Sequence, residues 1–389
     1  MSTIDTQEEL MADLHCHTDY SQLRMLDSII KVNKLIDKSV EYNKVGCAIT
    51  DHESLSGHIQ AIQYVKEGKK KGTIPKDFKL ILGNEIYLTD YIRPHEELPK
   101  YSGSPFYHFI LLSKDEIGHR QLRELSTRAW ENSYFTGKMQ RVPTTKQDLV
   151  EIIGDNKGHL IASTACIGGE LGRAILKTKK GFSKLPFYDD KDIQDSKVQG
   201  ESELFEFIDF CKDIFGDDFF LEIQPSFSEE QIIVNKTIIT ISEYLNIPIS
   251  ITTDIHYLMK EQESIHASYL NSKSDVEREL GDFYGSTYMM KPDELHKYLD
   301  EQIGAENVSK GLKNTVDIAN RIKEYDLYHG QIVPKATIPE FEMSHSFIQS
   351  YEECEYIKKF AYSENISDQY FLYLIEQGWW EKEFSIKLS

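Results

Sequence analysis

The sequence predicts an α/β protein: a closed or nearly closed barrel of mostly parallel strands, followed by a mainly helical C-terminal extension. Three observations carry that expectation. Seven short apolar segments alternate with stretches of helical periodicity. All seven fall within roughly 250 residues, a length that suits a barrel better than an open dinucleotide-binding sheet. No G-x-G-x-x-G or G-x-x-x-x-G-K-[ST] follows any of the segments, which removes the simplest dinucleotide and P-loop readings.

Strands are expected at residues 11–17, 45–51, 79–88, 106–113, 159–166, 219–224 and 248–253. Between the first two, Ile29, Val32, Leu35, Ile36 and Val40 recur mostly every three or four residues, the mark of an amphipathic helix. Residues 58–69 and 230–244 read as similar helices ahead of the third and seventh strands. Strands alternating with helices imply a mostly parallel sheet. The polar stretch 177–203, rich in Lys, Asp, Ser and Gly, is expected as a surface insertion between the fifth and sixth strands. Beyond residue 260 helical patterns dominate, at 292–299 and 310–324. An extended segment punctuated by Pro334 and Pro339 follows, and 346–387 reads as two helices carrying Trp379 and Trp380.

Composition narrows the function. The 389 residues suffice for one large domain and a smaller appendage, and 40% apolar content supports a real core. No stretch approaches the roughly 18 continuous apolar residues of a membrane span, so no membrane role is expected. The polar, acidic N-terminus resembles no secretory signal. Five cysteines without C-x-x-C spacing argue for a reducing, cytoplasmic setting rather than a disulfide framework. The net charge of −20 means that any nucleic acid must be drawn in by bound cations or by a partner domain, not by bulk electrostatics.

The chemistry concentrates at strand ends. His15-Cys16-His17 closes the first strand, and Asp254-Ile255-His256 follows the last. Side chains alternate faces along a strand, so both ligands of each pair point the same way. A lone H-x-H is most often two hydrogen-bonded polar residues. Here the intervening strand ends also carry donors: Asp51 and His52, Glu85, His108 and Cys166; only the sixth strand lacks an obvious ligand, though Glu222 is available. Imidazole, carboxylate and thiolate together suit Zn²⁺, Mn²⁺ or Fe²⁺ better than Mg²⁺ or Ca²⁺. Cys16 and Cys47 alternate away from that face or lie mid-strand and are expected in the core. His58, His159, His266 and His296 are expected as ordinary polar residues. Arg120, Arg123, Arg128 and Arg141, interleaved with Trp130, Tyr134 and Phe135, fit a track for a single nucleic-acid strand or a solvated helix face over core aromatics equally well.

Seven motifs in order resemble the polymerase-and-histidinol-phosphatase (PHP) domain. They are Leu14-His-Cys-His-Thr-Asp-Tyr-Ser21, Ala48-Ile-Thr-Asp-His52, Leu82-Gly-Asn-Glu-Ile-Tyr87, His108-Phe-Ile-Leu-Leu112, Ser163-Thr-Ala-Cys-Ile-Gly-Gly169, Phe219-Phe-Leu-Glu-Ile-Gln224 and Thr253-Asp-Ile-His-Tyr257. More closely, the chain resembles the N-terminal part of the α subunit of bacterial DNA polymerase III, a C-family replicative polymerase. Asn314-Thr-Val-Asp-Ile-Ala-Asn320 and the segment around Pro334 and Pro339 resemble that family's passage from PHP domain to palm. The resemblance implies a PHP-type distorted (β/α)7 barrel over residues 1–270, a transition toward the polymerase palm over 271–345, and a helical segment over 346–389.

It further implies nine metal ligands, His15, His17, Asp27, His52, Glu85, His108, Cys166, Asp254 and His256, holding two to three divalent ions. The segment 20–27 does not set the spacing firmly, so Asp19 competes with Asp27. Asp51 is expected behind the ligands, orienting an imidazole, and joins His15, His17, Asp254 and His256 as a catalytic expectation. Three divalent cations against three carboxylates and a thiolate leave the site at about +2, able to draw in a phosphodiester. The implied activity is metal-dependent phosphoester hydrolysis, as a 3′→5′ exonuclease on the primer end of DNA. The implied partners are a palm-and-fingers polypeptide and other replication subunits. The family's nucleotide-binding segment and palm aspartates are missing, so primer extension is not expected from this chain alone. A structural, metal-stabilised docking module of a split or truncated polymerase, and a stand-alone PHP phosphatase, are the competing functions.

Overall fold

A computed structural model describes residues 9–23, 26–92, 106–136, 139–180, 190–272, 284–328, 337–382 and 384. Ten strands form among the described residues: β1 (Ala12–Asp13), β2 (Gly46–Ile49), β3 (Lys79–Thr89), β4 (Tyr107–Ser113), β5 (Tyr134–Thr136), β6 (Met139–Arg141), β7 (Pro143–Thr145), β8 (Leu160–Ser163), β9 (Phe219–Ile223) and β10 (Ile249–Ile251). The seven expected strands correspond to β1–β4 and β8–β10. The principal helices are α1 (Val32–Glu41), α2 (His58–Lys71), α3 (Glu116–Glu131), α4 (Lys146–Ile153), α5 (Glu170–Lys180), α6 (Asp190–Phe215), α7 (Glu229–Leu245), α8 (Glu263–Asn271), α9 (Pro292–Ile303) and α10 (Ala305–Arg321).

The main sheet runs β1-β2-β3-β4-β8-β9-β10, with β7 added beside β3. Neighbours pair in parallel except β4, which is antiparallel to both β3 and β8. The expectation of strand-end ligands needs correcting there. His108 is the second residue of β4, and only the reversed direction brings it to the rim where the parallel strands end. The sheet curls until its edges meet, through a parallel bridge between Cys16 and Ile255.

Inside the curl, period-two alternation sorts the residues by height. Ile81, Ile110, Leu112, Ile161 and Phe220 form one apolar cluster with Ala12, Leu14 and Ala48, sealed by Ile318, Ala319 and Ile322 from α10 and the residue after it. Two residues further along the same strand faces stand Gly83 and Glu85, His108, Ser163 and Glu222. One end of the interior is therefore oily and the other polar. On the outside, α3–α7, α9 and α10 cover the sheet in a single large cluster that includes Leu122, Phe207, Val234, Leu299 and Leu312. That burial, worth roughly 1.5–3 kcal/mol per large side chain, holds the curl closed.

The stretch 177–203 is largely helical. It does lie between β8 and β9, as the end of α5 and the first half of α6, with residues 181–189 outside the described set, so its described backbone is helical. The later turns of α6 bury Leu204, Phe207, Ile208 and Cys211. The compact unit ends at Tyr328. Beyond it a second unit holds three short helices, α11 (His345–Ser350), α12 (Glu355–Ala361) and α13 (Ile366–Glu381), where two were expected. They gather around Phe347, Ala361 and Leu372, with Trp379 packed against them. Pro334 lies outside the described residues. No helix among the described residues is long and apolar enough to cross a membrane.

His58, expected as an ordinary polar residue, is instead buried at the start of α2. Its Nε2–H donates to the Gly83 carbonyl at 3.0 Å, so its Nδ1 accepts from His119 Nε2 at 3.0 Å. Burial pushes His58 down to about 4 and His119 down to about 3, both below the ordinary 6.5. With folded values depressed, the unfolded chain binds more protons, and stability is lost as pH falls from 6.5 through 4. By pH 5 the loss from His58 alone is on the order of 2 kcal/mol. Urea midpoints should therefore fall over that interval, and His58→Gln should flatten the fall. A parental midpoint that holds steady from neutral pH to 4.5 would contradict a buried neutral pair.

Candidate metal centre

The site is assembled where β1 and β10 meet. His17 N–H donates to the Ile255 carbonyl at 2.9 Å, and Ile255 N–H donates to the His15 carbonyl at 3.0 Å. This short ladder lays the H-x-H and D-x-H pairs side by side and turns Cys16 and Ile255 outward into an apolar cluster with Cys47 and Ile49. Asp254 makes the turn with φ +51°, in the left-handed region. Ala165, before Cys166, and Glu53, after His52, also have positive φ. Backbone strain of that kind, about 1–3 kcal/mol per residue, persists where the surroundings over-determine a functional geometry. Gly169 closes the loop after Cys166, because a Cβ there would sit 2.2 Å from the Thr164 carbonyl oxygen.

The nine expected ligands converge. His15 Nε2 lies 3.2 Å from His17 Nε2, and each lies 3.1 Å from Asp254 Oδ1. Glu85 Oε2 is 3.0 Å from His17 Nε2 and 3.5 Å from His15 Nε2. Donor atoms about 2.0–2.1 Å from one zinc ion stand about 3.3 Å apart at tetrahedral angles, a spacing that the His15, His17 and Glu85 atoms approach. A second group gathers at Asp27, whose Oδ1 is 2.8 Å from His256 Nε2 and whose Oδ2 is 3.1 Å from His52 Nε2. His17 borders this group too. A third comprises Glu85 Oε1, 2.6 Å from His108 Nδ1, and Cys166 Sγ, 3.6 Å from the same nitrogen. The two oxygens of Glu85 thus face different groups. Asp19, the competitor for Asp27, instead pairs with Lys31 outside the cluster.

The donor set fits cations on a direct observation. Asp27 Oδ2, both Glu85 oxygens and Asp254 Oδ1 are buried without a hydrogen-bond partner, although ring nitrogens surround them. Burying three carboxylates unpaired is prohibitive unless positive charge sits among them. The titration behaviour agrees. Burial alone would push His52 down, but the Glu85 and Asp27 carboxylates overcome it and raise the ring to about 10. His15 is raised well above the ordinary value against the same burial, by Asp254, Glu222 and Glu85. Burial lifts the Cys166 thiol, with Asp254 and Glu85 adding to it, so the thiol needs a cation to ionise.

Residues behind the cluster hold it. Glu222 accepts from His15 Nδ1–H at 2.7 Å and is fixed by Ser163, Gln224 and Thr252 at 2.7, 2.8 and 2.6 Å. His256 Nδ1–H donates to the Asp254 carbonyl at 2.6 Å, which frees Nε2 for the cluster. Gly168 N–H donates to Cys166 Sγ at 3.4 Å. Glu222 was visible in the sequence only as an available carboxylate; its place two residues beyond inward-facing Phe220 is the signal for its role. Asp51 stands one step further back than expected. Its oxygens accept from Thr18 N–H, Thr18 Oγ1 and Ser21 Oγ at 2.6, 2.8 and 2.8 Å, and Ser21 in turn meets His17 Nδ1 at 3.2 Å. It therefore reaches the His17 imidazole through Ser21, whose Oγ also accepts from the His52 N–H at 3.3 Å.

A curled α/β sheet whose rim gathers histidines, carboxylates and a cysteine defines a metal-centre barrel. The chain belongs to the PHP domain family, whose description matches residues 13–226. Asp254 and His256 lie beyond that match. A DNA-directed DNA polymerase of Bacillus phage SPbeta is 44% identical over 373 residues, covering 96% of this chain and 28% of the relative. The DNA polymerase III subunit alpha of Borreliella burgdorferi is 30% identical over 84% of this chain and 25% of its own length. That of Chlamydia trachomatis serovar D is 32% identical over 67% of this chain and 19% of its own. The chain thus spans between about a fifth and just over a quarter of the curated relatives it matches.

Because Glu222 orients His15 by holding its Nδ1–H, Glu222→Gln should weaken retention of Zn²⁺ or Mn²⁺ by about ten- to a hundredfold while leaving the fold intact. Metal content after graded chelation, read by elemental analysis, checks this. Parental retention in the variant would remove Glu222 from the site.

Proposed function

We propose that the chain is a metal-dependent phosphoesterase of the DNA polymerase III α type, hydrolysing the 3′ end of a DNA primer in the manner of a 3′→5′ exonuclease. The observation that carries this reading is the trio His15 Nε2, His17 Nε2 and Glu85 Oε2, 3.0–3.5 Å apart, with Asp254 Oδ1 at 3.1 Å from both imidazole nitrogens. In this reading His15, His17, Asp27, His52, Glu85, His108, Cys166, Asp254 and His256 hold two to three divalent ions, of zinc, manganese or iron. Bound there, the ions would polarise a phosphoryl oxygen, lower the pKa of a water and steady the leaving oxygen.

The residues of the chain supply the rest. Glu222 and the Asp254 carbonyl keep His15 and His256 in the tautomers that offer Nε2 inward. Glu85 spans two of the groups, which couples their positions. Of the nine, His108 has the most open side chain, 28% exposed, and it marks the side from which a phosphodiester enters. Relatives named as DNA polymerases support DNA as the substrate. The reading includes a cytoplasmic setting, with a palm-and-fingers polypeptide and other replication subunits as partners. Residues 271–345 would lead toward the palm. A second reading, a structural module docking other subunits, is favoured by the burial of the other eight donors.

His15→Ala and Asp254→Ala separate the two. Both should stay folded by circular dichroism, lose bound metal, and cut hydrolysis of a 3′-labelled oligonucleotide by at least about a hundredfold. Folded variants that keep the full parental rate would end the enzymatic reading. The purified chain should also fail to extend a primed template, and extension in the absence of any other polymerase would refute that expectation.

A further inference from the structure

We infer that the cavity between α3 and the loop that follows His52 is a binding subsite for one nucleotide of a single DNA strand, an inference that rests on the proposed action on DNA ends. The cavity has a volume of about 440 Å³ and two walls. One is the loop Glu53, Ser54, Leu55 and Ser56, which begins at the residue after His52. The other is a single stripe of α3, formed by Arg123, Ser126, Thr127 and Trp130. Their spacing of three, one and three residues places all four on one helix face. A stripe that faces its own fold is ordinarily aliphatic. This one instead offers a guanidinium, the Ser126 hydroxyl and an indole, groups that bind phosphate oxygens and stack a base, while the Thr127 hydroxyl donates to the Arg123 carbonyl at 2.8 Å.

The detail of each wall supports occupancy by an anionic, aromatic unit. Trp130 Nε1–H donates to the Glu53 carbonyl at 2.8 Å, so the indole is pinned to the loop that carries His52. The Glu53 carboxylate, which would repel a phosphate, is buried. It accepts from Tyr87 N–H at 3.0 Å and Thr144 Oγ1 at 3.2 Å. Arg128 on the same helix is neutralised by Asp148 and Glu151, at 3.1 and 2.6 Å. Arg123 has no carboxylate partner among the described residues, and it is exposed. The volume lies within the roughly 300–1,000 Å³ of small-molecule sites. In a chain of net charge −20, attraction of a nucleic acid has to be local, and a guanidinium one loop away from the metal centre supplies it.

The test is binding of a 5′-fluorescein oligothymidylate to the full chain by fluorescence anisotropy, in EDTA so that no hydrolysis occurs. Arg123→Gln and Trp130→Leu should each weaken binding by at least about fivefold, and Trp130→Phe should recover most of the loss. Arg120→Gln, on the same helix but outside the cavity, should bind as the parent does. Equal losses from Arg120→Gln and Arg123→Gln, or affinities within twofold of the parent for all variants, would overturn the subsite, as would a parent that does not bind the oligomer. A parent that binds but does not hydrolyse the oligomer with Mn²⁺ present would sink the enzymatic reading alone, and the binding comparison would still decide the subsite.

Discussion

Two backbone hydrogen bonds between the segment 15–17 and Ile255 are the constraint on which the rest depends. They close the curled sheet at one rim only, and they do it between the two strands that carry an alternating pair of donors. Closure there turns two ordinary period-two motifs into facing halves of one site. It also forces Cys16 and Ile255 outward, where they pack with Cys47, Ile49 and Met289. The apolar cost of opening that seam is thus tied to the geometry of the donors.

Electrostatics would oppose this arrangement if the carboxylates stood alone. Asp27, Glu85 and Asp254 are buried with oxygens that lack hydrogen-bond partners. Nearby imidazoles hold Asp27 and Glu85 well below the usual carboxylate range despite the burial that opposes it. Such a cluster is stable in two ways: with protons on the rings, or with cations among them. The second is the arrangement for which Glu222 and the Asp254 carbonyl orient the imidazoles. Left-handed backbone at Glu53, Ala165 and Asp254 adds strain at the same rim, offset by the packed core beneath.

The fold separates that strained, polar rim from the parts that supply stability. Ile81, Ile110, Leu112, Ile161 and Phe220 fill the opposite end of the interior, and α10 caps it with Ile318 and Ala319. Thr315 Oγ1 accepts from Ala12 N–H at 2.9 Å, and Asn314 Nδ2–H donates to the Ile249 carbonyl at 2.8 Å. These bonds fasten α10 to β1 and β10, the two strands that must meet. The region after residue 270, expected as a passage out of the barrel, therefore contributes α9 and α10 to the barrel's own core. The second unit has its own small aromatic and aliphatic cluster around Phe347 and Leu372.

The sequence by itself determined the seven barrel strands, several of the helices and the candidate donors at the strand ends. Strand alternation and helical periodicity are local, and so is the rule that places both members of H-x-H or D-x-H on one face. It could not determine the direction of β4, because an apolar run reads the same in either sense. Nor could polar composition reveal that the flanks of residues 177–203 are helical, since helices expose polar faces too. The choice of Asp27 over Asp19, the buried pairing of His58 with His119, the indirect reach of Asp51 through Ser21 and the grip of Glu222 on His15 were likewise decided only in three dimensions. Each depends on which side chains meet across strands distant in sequence, and that is set by how the sheet closes.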